Sequence, residues 1–357
     1  MNRRDFAHLL ALSGVVRFGW GEEVLSSAMP SVAAHSSDST SSPFVPSLKP
    51  GRRIEGASAV LLPFTVRDEI DWSSFGGLLD RTWAAGLTPA VNMDTGYVNL
   101  LTAEERGRVL AYTRERSQGR RFIAGAFIEG DGRDPAGAYL AHVDTIRAHG
   151  GTPILFQCSA LSQASEGQVL DVYKLVGKAG GPLLAFELGT MFAPFGRIYS
   201  EEFITGLLDI EAFVGLKHSS LSRITEWSRV ALRDRHRPEF RIYTGNDLAI
   251  DMAFFGSDYL LGLSAFSVEA FAARDRLWAK SDAGAIAVND LLQYLGQLAF
   301  RPPVPAYKHS AAQFLKLRGR IATDRQHPRS PRRPDSDVLL LQDISDRLDR
   351  TLGDRTF

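Results

Sequence analysis

Cysteine is almost absent from this chain. Cys158 is the single one in 357 residues, so an internal disulfide is excluded, and no Cys/His cluster has zinc-ligand spacing. It follows the apolar run Ile154-Leu155-Phe156, where a free thiol reads as inert packing rather than as a nucleophile. Net charge is missing too, with 41 Lys and Arg against 41 Asp and Glu, and no basic stripe is interleaved with aromatics. Nucleic acid therefore has no electrostatic reason to bind. No internal repeat is present, which argues against a solenoid. Lysine is scarce, at seven residues. What remains is a chain that is 44% hydrophobic and 23% charged, enough for one large globular domain or two ordinary ones.

Residues 1–50 differ from the rest. Asn2-Arg3-Arg4-Asp5-Phe6, followed by Leu9-Leu10-Ala11-Leu12, resembles a twin-arginine export signal, with small residues Val32-Ala33-Ala34 near a cleavage point. Arg17, Glu22 and Glu23 interrupt the apolar region, so the stretch is too short and too charged to span a membrane. Two localisations follow: export to the periplasm, or a basic tail on a cytoplasmic protein. The Ser/Pro-rich residues 35–50 read as a linker under either.

From residue 51 to about 280 short apolar runs alternate with helical stretches, the pattern of successive βα units around a parallel sheet. Strands are expected at Ala57 to Pro63, Thr88 to Asn92, Arg121 to Phe127, Pro153 to Gln157, Leu183 to Leu188, Ala212 to Lys217, Phe240 to Thr244 and Tyr259 to Leu263. Helices are expected from Trp72 to Ala85 and from Pro135 to His149. Another starts at the capping box Thr102-Ala103-Glu104-Glu105, where hydroxyl and carboxylate satisfy free N–H groups. Eight strands over this length specify an α/β fold, a (β/α)8 TIM barrel. Residues 281–357 add C-terminal helices at Ala283 to Ala299, Ser310 to Arg318 and Val338 to Leu352, the first two separated by Arg301-Pro302-Pro303-Val304-Pro305.

Chemistry in such a barrel occurs where each strand turns polar at its C-terminal end. Those positions are Asp94 and Thr95, Gln157 to Ser159, Glu187, Lys217, Tyr243 to Asp247, and Ser264. Of the lysines, Lys217 alone closes an apolar run, Ala212 to Leu216. Burial favours the neutral amine, a nucleophile able to form a Schiff base with a carbonyl. Asp247 reads as the cap of a helix after strand seven, and His218 as facing away from the lysine, since neighbours on a strand point opposite ways.

Four segments resemble the dihydrodipicolinate synthase/N-acetylneuraminate lyase family of Schiff-base aldolases. They are Met93-Asp94-Thr95-Gly96-Tyr97 with Leu101 to Arg106; Gly215-Leu216-Lys217-His218-Ser219; Thr244-Gly245-Asn246-Asp247 with Gly262-Leu263-Ser264; and Lys308 to Gly319 with His327-Pro328. The resemblance implies that Lys217 bears the imine, that Thr95 orients the carbonyl compound, and that no metal or organic cofactor takes part. It implies a small-molecule 2-oxo acid or related carbonyl substrate and a homodimer or homotetramer. The chain departs from the pattern at three places. Asp94 stands where a first hydroxyl is usual, so it is either protonated or engaged by something other than a carboxylate. Phe156 to Ala160 supply no phenol after strand four, leaving Tyr97 and Tyr243 as substitutes. Strand five carries Glu187, a proton carrier or a salt-bridge partner of Lys217. Gly96, Gln157, Ser159 and Ser264 complete the expected substrate contacts. The activity expected is a carbon–carbon or carbon–oxygen lyase. Its alternatives are an imine-dependent hydratase or dehydratase, or a barrel that now only binds a ligand or serves as a scaffold.

Overall fold

A computed structural model of the chain describes residues 46–353. The twin-arginine-like stretch and most of the Ser/Pro linker lie outside the described residues.

Eight parallel strands close into one barrel in sequence order: β1 Gly56–Ala59, β2 Thr88–Val91, β3 Ile123–Ala126, β4 Thr152–Leu155, β5 Leu183–Leu188, β6 Phe213–Ser219, β7 Arg241–Thr244 and β8 Asp258–Leu261. The last pairs back to the first. Two apolar clusters follow from the period of two along each strand. The interior carries Ile123, Ile154, Leu184, Phe186 and Leu260 opposite small residues such as Ala57, Ala59 and Ala90. The outer residues pack under the helices in a larger cluster. Gly125 is one of the small interior positions, because a Cβ there would lie 2.1 Å from the Asn92 carbonyl oxygen and 2.7 Å from the Phe156 ring.

Local chemistry explains the helix starts. Asp71, Asp134, Ser165, Ser200, Ser222 and Ser267 each accept a main-chain N–H at a helix N-terminus. The Thr102/Glu105 box forms as expected: Glu105 N–H donates to Thr102 Oγ1 at 3.1 Å, and Thr102 N–H to Glu105 at 2.7 Å. The connection between β7 and β8 departs from the expectation of a helix. It is the short 3-10 helix Ile250–Phe255, closed by Gly256 at φ 118. Asp247 therefore caps no helix there.

After β8 comes the helix Val268–Ala279, then three added helices, Gly284–Ala299, Tyr307–Leu317 and Asp337–Leu352. The helix Tyr307–Leu317 is buried along most of its length, polar residues included, so the chain beyond Pro305 is built into the barrel's surroundings. None of the helices among the described residues is long and apolar enough to cross a membrane.

Candidate active site

The C-terminal ends of the strands open into a cavity of about 220 Å³. Lys217 enters it from β6, paired with Phe186 on β5 and with Tyr243 on β7. Its Nζ lies 4.3 Å from the centroid of the Phe186 ring, over a face that attracts a cation. Gly245 makes the room: a Cβ there would lie 2.8 Å from Lys217 Cε and 2.0 Å from Ser219 Oγ. Burial lowers the lysine pKa to about 8, against the pull of Asp247 and Asp94 in the other direction. A useful fraction of the amine is thus neutral near pH 7.

Asp247 lines the same cavity. Its Oδ1 accepts the Leu263 N–H at 2.7 Å, a bond between the loops after β7 and β8. Burial raises its pKa to about 7, although that bond and Lys217 oppose the rise. An amine near 8 and a carboxyl near 7 can exchange a proton close to neutrality without a large free-energy difference.

A second polar group stands on the turn Asp94–Gly96 after β2 and on the start of the helix Tyr307–Leu317. Thr95 Oγ1 and the Tyr307 hydroxyl are 2.8 Å apart. The Tyr307 hydroxyl donates to Asp94 Oδ2 at 2.9 Å, and Lys308 Nζ donates to both carboxylate oxygens at 3.1 Å. Burial alone would raise the Asp94 carboxyl, but Lys308, Tyr307 and Lys217 together hold it below its usual value. The choice posed by the sequence resolves here: Asp94 is ionised and engaged by Lys308. Its side chain is nevertheless 56% exposed and faces the cavity. Burial and the Asp94 charge push the Tyr307 phenol well above its ordinary value, so it stays a neutral donor.

Of the residues expected at the site, Lys217, Thr95 and Asp94 line the cavity. The others lie elsewhere, each for a physical reason. Tyr97 sits at a left-handed position, φ 59, which turns its ring away to pack on Phe64 and His327. Gly96 lies beneath the Val60 carbonyl. Glu187 points outward with its alternate neighbours Leu183 and Ala185; His218 Nδ1 lies 2.6 Å from its Oε1, and Arg229 Nε donates to the same oxygen at 2.9 Å. Burial would raise this carboxyl, but His218 and Arg229 hold it low. It is no partner of Lys217. Gln157 is tied to the Arg197 main chain, donating to its carbonyl at 2.7 Å and accepting its N–H at 2.9 Å. Ser159 bonds Glu129, and Ser264 bonds Ser58. Tyr243 does face the interior, but the charges around it, Asp258, Arg241, Glu55 and Arg121, belong to the N-terminal end of the barrel.

Two residues of the site escaped the sequence reading. Asp247 carried a signal, a carboxylate where β7 turns polar, and was assigned to capping. Tyr307 carried almost none, because it follows a proline-rich break far beyond the last strand. Among the described residues no group of three or more His, Cys, Asp and Glu is disposed to hold a metal ion.

The fold is a (β/α)8 barrel with Lys217 at its mouth, and solved structures match that fold. A prophage protein from E. coli K12 belonging to the dihydrodipicolinic acid synthase family, in complex with pyruvate, aligns with TM-score 0.71 at 16% identity, covering 83% of this chain and 98% of its own. Dihydrodipicolinate synthase from Thermotoga maritima aligns with TM-score 0.70 at 17% identity, covering 83% and 99%. The chloride-inhibited enzyme from Acinetobacter baumannii, complexed with pyruvate, gives 0.68, 17%, 83% and 99%. At such identity the likeness is one of fold, that of a divergent structural relative. No family model matches the chain, and no curated protein matches it by sequence.

Proposed function

We propose that the chain is a Schiff-base-forming lyase acting through Lys217 on a 2-oxo acid or related carbonyl compound. The observation that carries the reading is a lysine with a pKa of about 8 opening into a cavity that also holds Asp247, Thr95 and Tyr307. Lys217 gives its ammonium proton to Asp247 and attacks the carbonyl carbon as a neutral amine. The nitrogen loses a proton as the carbonyl oxygen takes one up, which gives a neutral carbinolamine. A second proton, delivered through the Tyr307 and Thr95 hydroxyls, lets that oxygen leave as water, and the net step consumes amine, carbonyl and one proton to give iminium and water. The iminium then takes up the electron pair of a bond on its neighbouring carbon and becomes an enamine: from a carbon–carbon bond, whose far carbon leaves as a carbonyl compound as its hydroxyl loses a proton, or from a carbon–hydrogen bond, after which the enamine expels the hydroxyl of the next carbon as water once that hydroxyl is protonated. Asp94, neutralised by Lys308, fixes the Tyr307 hydroxyl.

Pyruvate in two of the similar structures supports a 2-oxo acid as the first compound to try. The engagement of Glu187 by His218 and Arg229 supports an enzyme over a scaffold, because Lys217 then has no ion pair among the described residues. The test is a structure of the protein reduced with borohydride in the presence of pyruvate. Continuous density from Lys217 Nζ to the ligand, with Thr95 and Tyr307 in hydrogen-bond reach of it, supports the reading; an adduct on another lysine opposes it.

A further inference from the structure

The cavity around Lys217 is lined mostly by apolar side chains. Six phenylalanines line it: Phe127, Phe156, Phe186, Phe192, Phe195 and Phe300. Three of them form a continuous wall over the ends of β3, β4 and β5. Phe127 meets Phe156 edge-on at 5.7 Å, and Phe156 meets Phe186 edge-on at 5.0 Å. The segment between β5 and the helix Glu201–Leu208 contributes five consecutive lining residues, 191–195.

That segment is held rather than loose. Gln157 grips the Arg197 main chain from both sides, Arg197 Nη1 donates to the Ala164 carbonyl at 2.9 Å, and Gly189 N–H donates to the Ser219 carbonyl at 3.0 Å. Phe192, at 38% exposure, and Met191, at 44%, are adjacent apolar side chains that are part exposed and line the cavity. The charges are few. Among the described residues lining the cavity Lys217 is the one cation, no arginine is present, and Asp94 and Asp247 are the acids. A second carboxylate on the far end of a ligand would find no cation and would be desolvated against apolar side chains.

We infer that the carbonyl substrate carries a flat, uncharged apolar group of roughly aryl size on the side remote from the imine carbon. The group packs against the Phe127, Phe156 and Phe186 wall beneath Phe192. This inference rests on the imine reading for its reactive end and on the aromatic lining for the remote end.

Three 2-oxo acids that differ at the remote end separate the alternatives: pyruvate, phenylpyruvate and 2-oxoglutarate, each titrated with borohydride while the Lys217 adduct is quantified by peptide mass. The concentration for half-maximal labelling is expected to be about 10-fold or more lower for phenylpyruvate than for pyruvate, the gain of burying one ring. For 2-oxoglutarate it should exceed that for pyruvate. Phe192→Ser, at the exposed mouth, should shrink the phenylpyruvate advantage, read as the ratio of the two half-maximal concentrations in the same variant. Equal labelling by pyruvate and phenylpyruvate, or preference for 2-oxoglutarate, overturns the inference while the imine stands. A parallel thermal shift with 1-phenylethanol, which has no carbonyl, separates the other failure. Stabilisation without any Lys217 adduct keeps the aryl site and overturns the imine; no stabilisation and no phenyl preference overturns the aryl site.

Discussion

The hydroxyls of Thr95 and Tyr307 lie 2.8 Å apart although 212 positions separate them in the chain. One belongs to the turn after β2, the other to a helix added after the barrel is complete. The Tyr307 hydroxyl thereby reaches the cavity that Lys217 enters from the opposite side, and a C-terminal helix supplies the phenol that strand four lacks.

Removal of that phenol is the first prediction. Tyr307→Phe keeps the ring that stacks on Phe300 at 4.3 Å and deletes the bonds to Thr95 and Asp94. Stopped trapping with pyruvate and borohydride should show adduct formation slowed about 10²-fold or more, the usual scale of a lost acid/base group. The melting temperature should move little. Unchanged trapping would remove Tyr307 from the proton path.

The pH dependence follows from the two shifted groups. Lys217 must be neutral to attack and has a pKa near 8, while Asp247 must be ionised to accept its proton and has a pKa near 7. The rate of adduct formation should therefore climb from pH 6 to pH 9. Because Asp247 raises the lysine pKa, Asp247→Asn should move the lysine limb to lower pH while lowering the plateau rate. A limb that stays in place would show that the two groups do not feel each other.

Glu187 yields the opposite kind of prediction. Its carboxylate is fully buried and shared between His218 and Arg229, so Glu187→Gln leaves a buried guanidinium short of its counter-ion. The expected cost is about 3–5 kcal/mol, read by chemical denaturation. Since the folded-state pKa is depressed, this stability is present above the unfolded carboxylate pKa and is lost as pH falls through the folded one. The pH limb of Lys217 in the folded fraction should not move. A displaced limb would return Glu187 to the site.

These residues also mark what could be read from the chain. The barrel was legible because each strand is an apolar run broken by polar turns, and because hydroxyls and carboxylates sit at the helix starts. Lys217 was legible for the same reason. Strand periodicity sent His218 outward, and the same rule applied to Leu183–Leu188 sends Glu187 outward as well, since Phe186 and Leu188 occupy the interior. Tyr97 could not be placed, because its direction depends on a left-handed backbone at a non-glycine residue. Tyr307 and the raised pKa of Asp247 depend on distant segments meeting, which neither periodicity nor spacing records.

The most direct measurement is peptide mapping after borohydride reduction with pyruvate and phenylpyruvate, on the intact chain and on Lys217→Met. The account predicts one reduced adduct per chain, on the peptide holding Lys217, and none on Lys217→Met although that variant folds. An unlabelled Lys217, or equal labelling of the variant at another lysine, would contradict it.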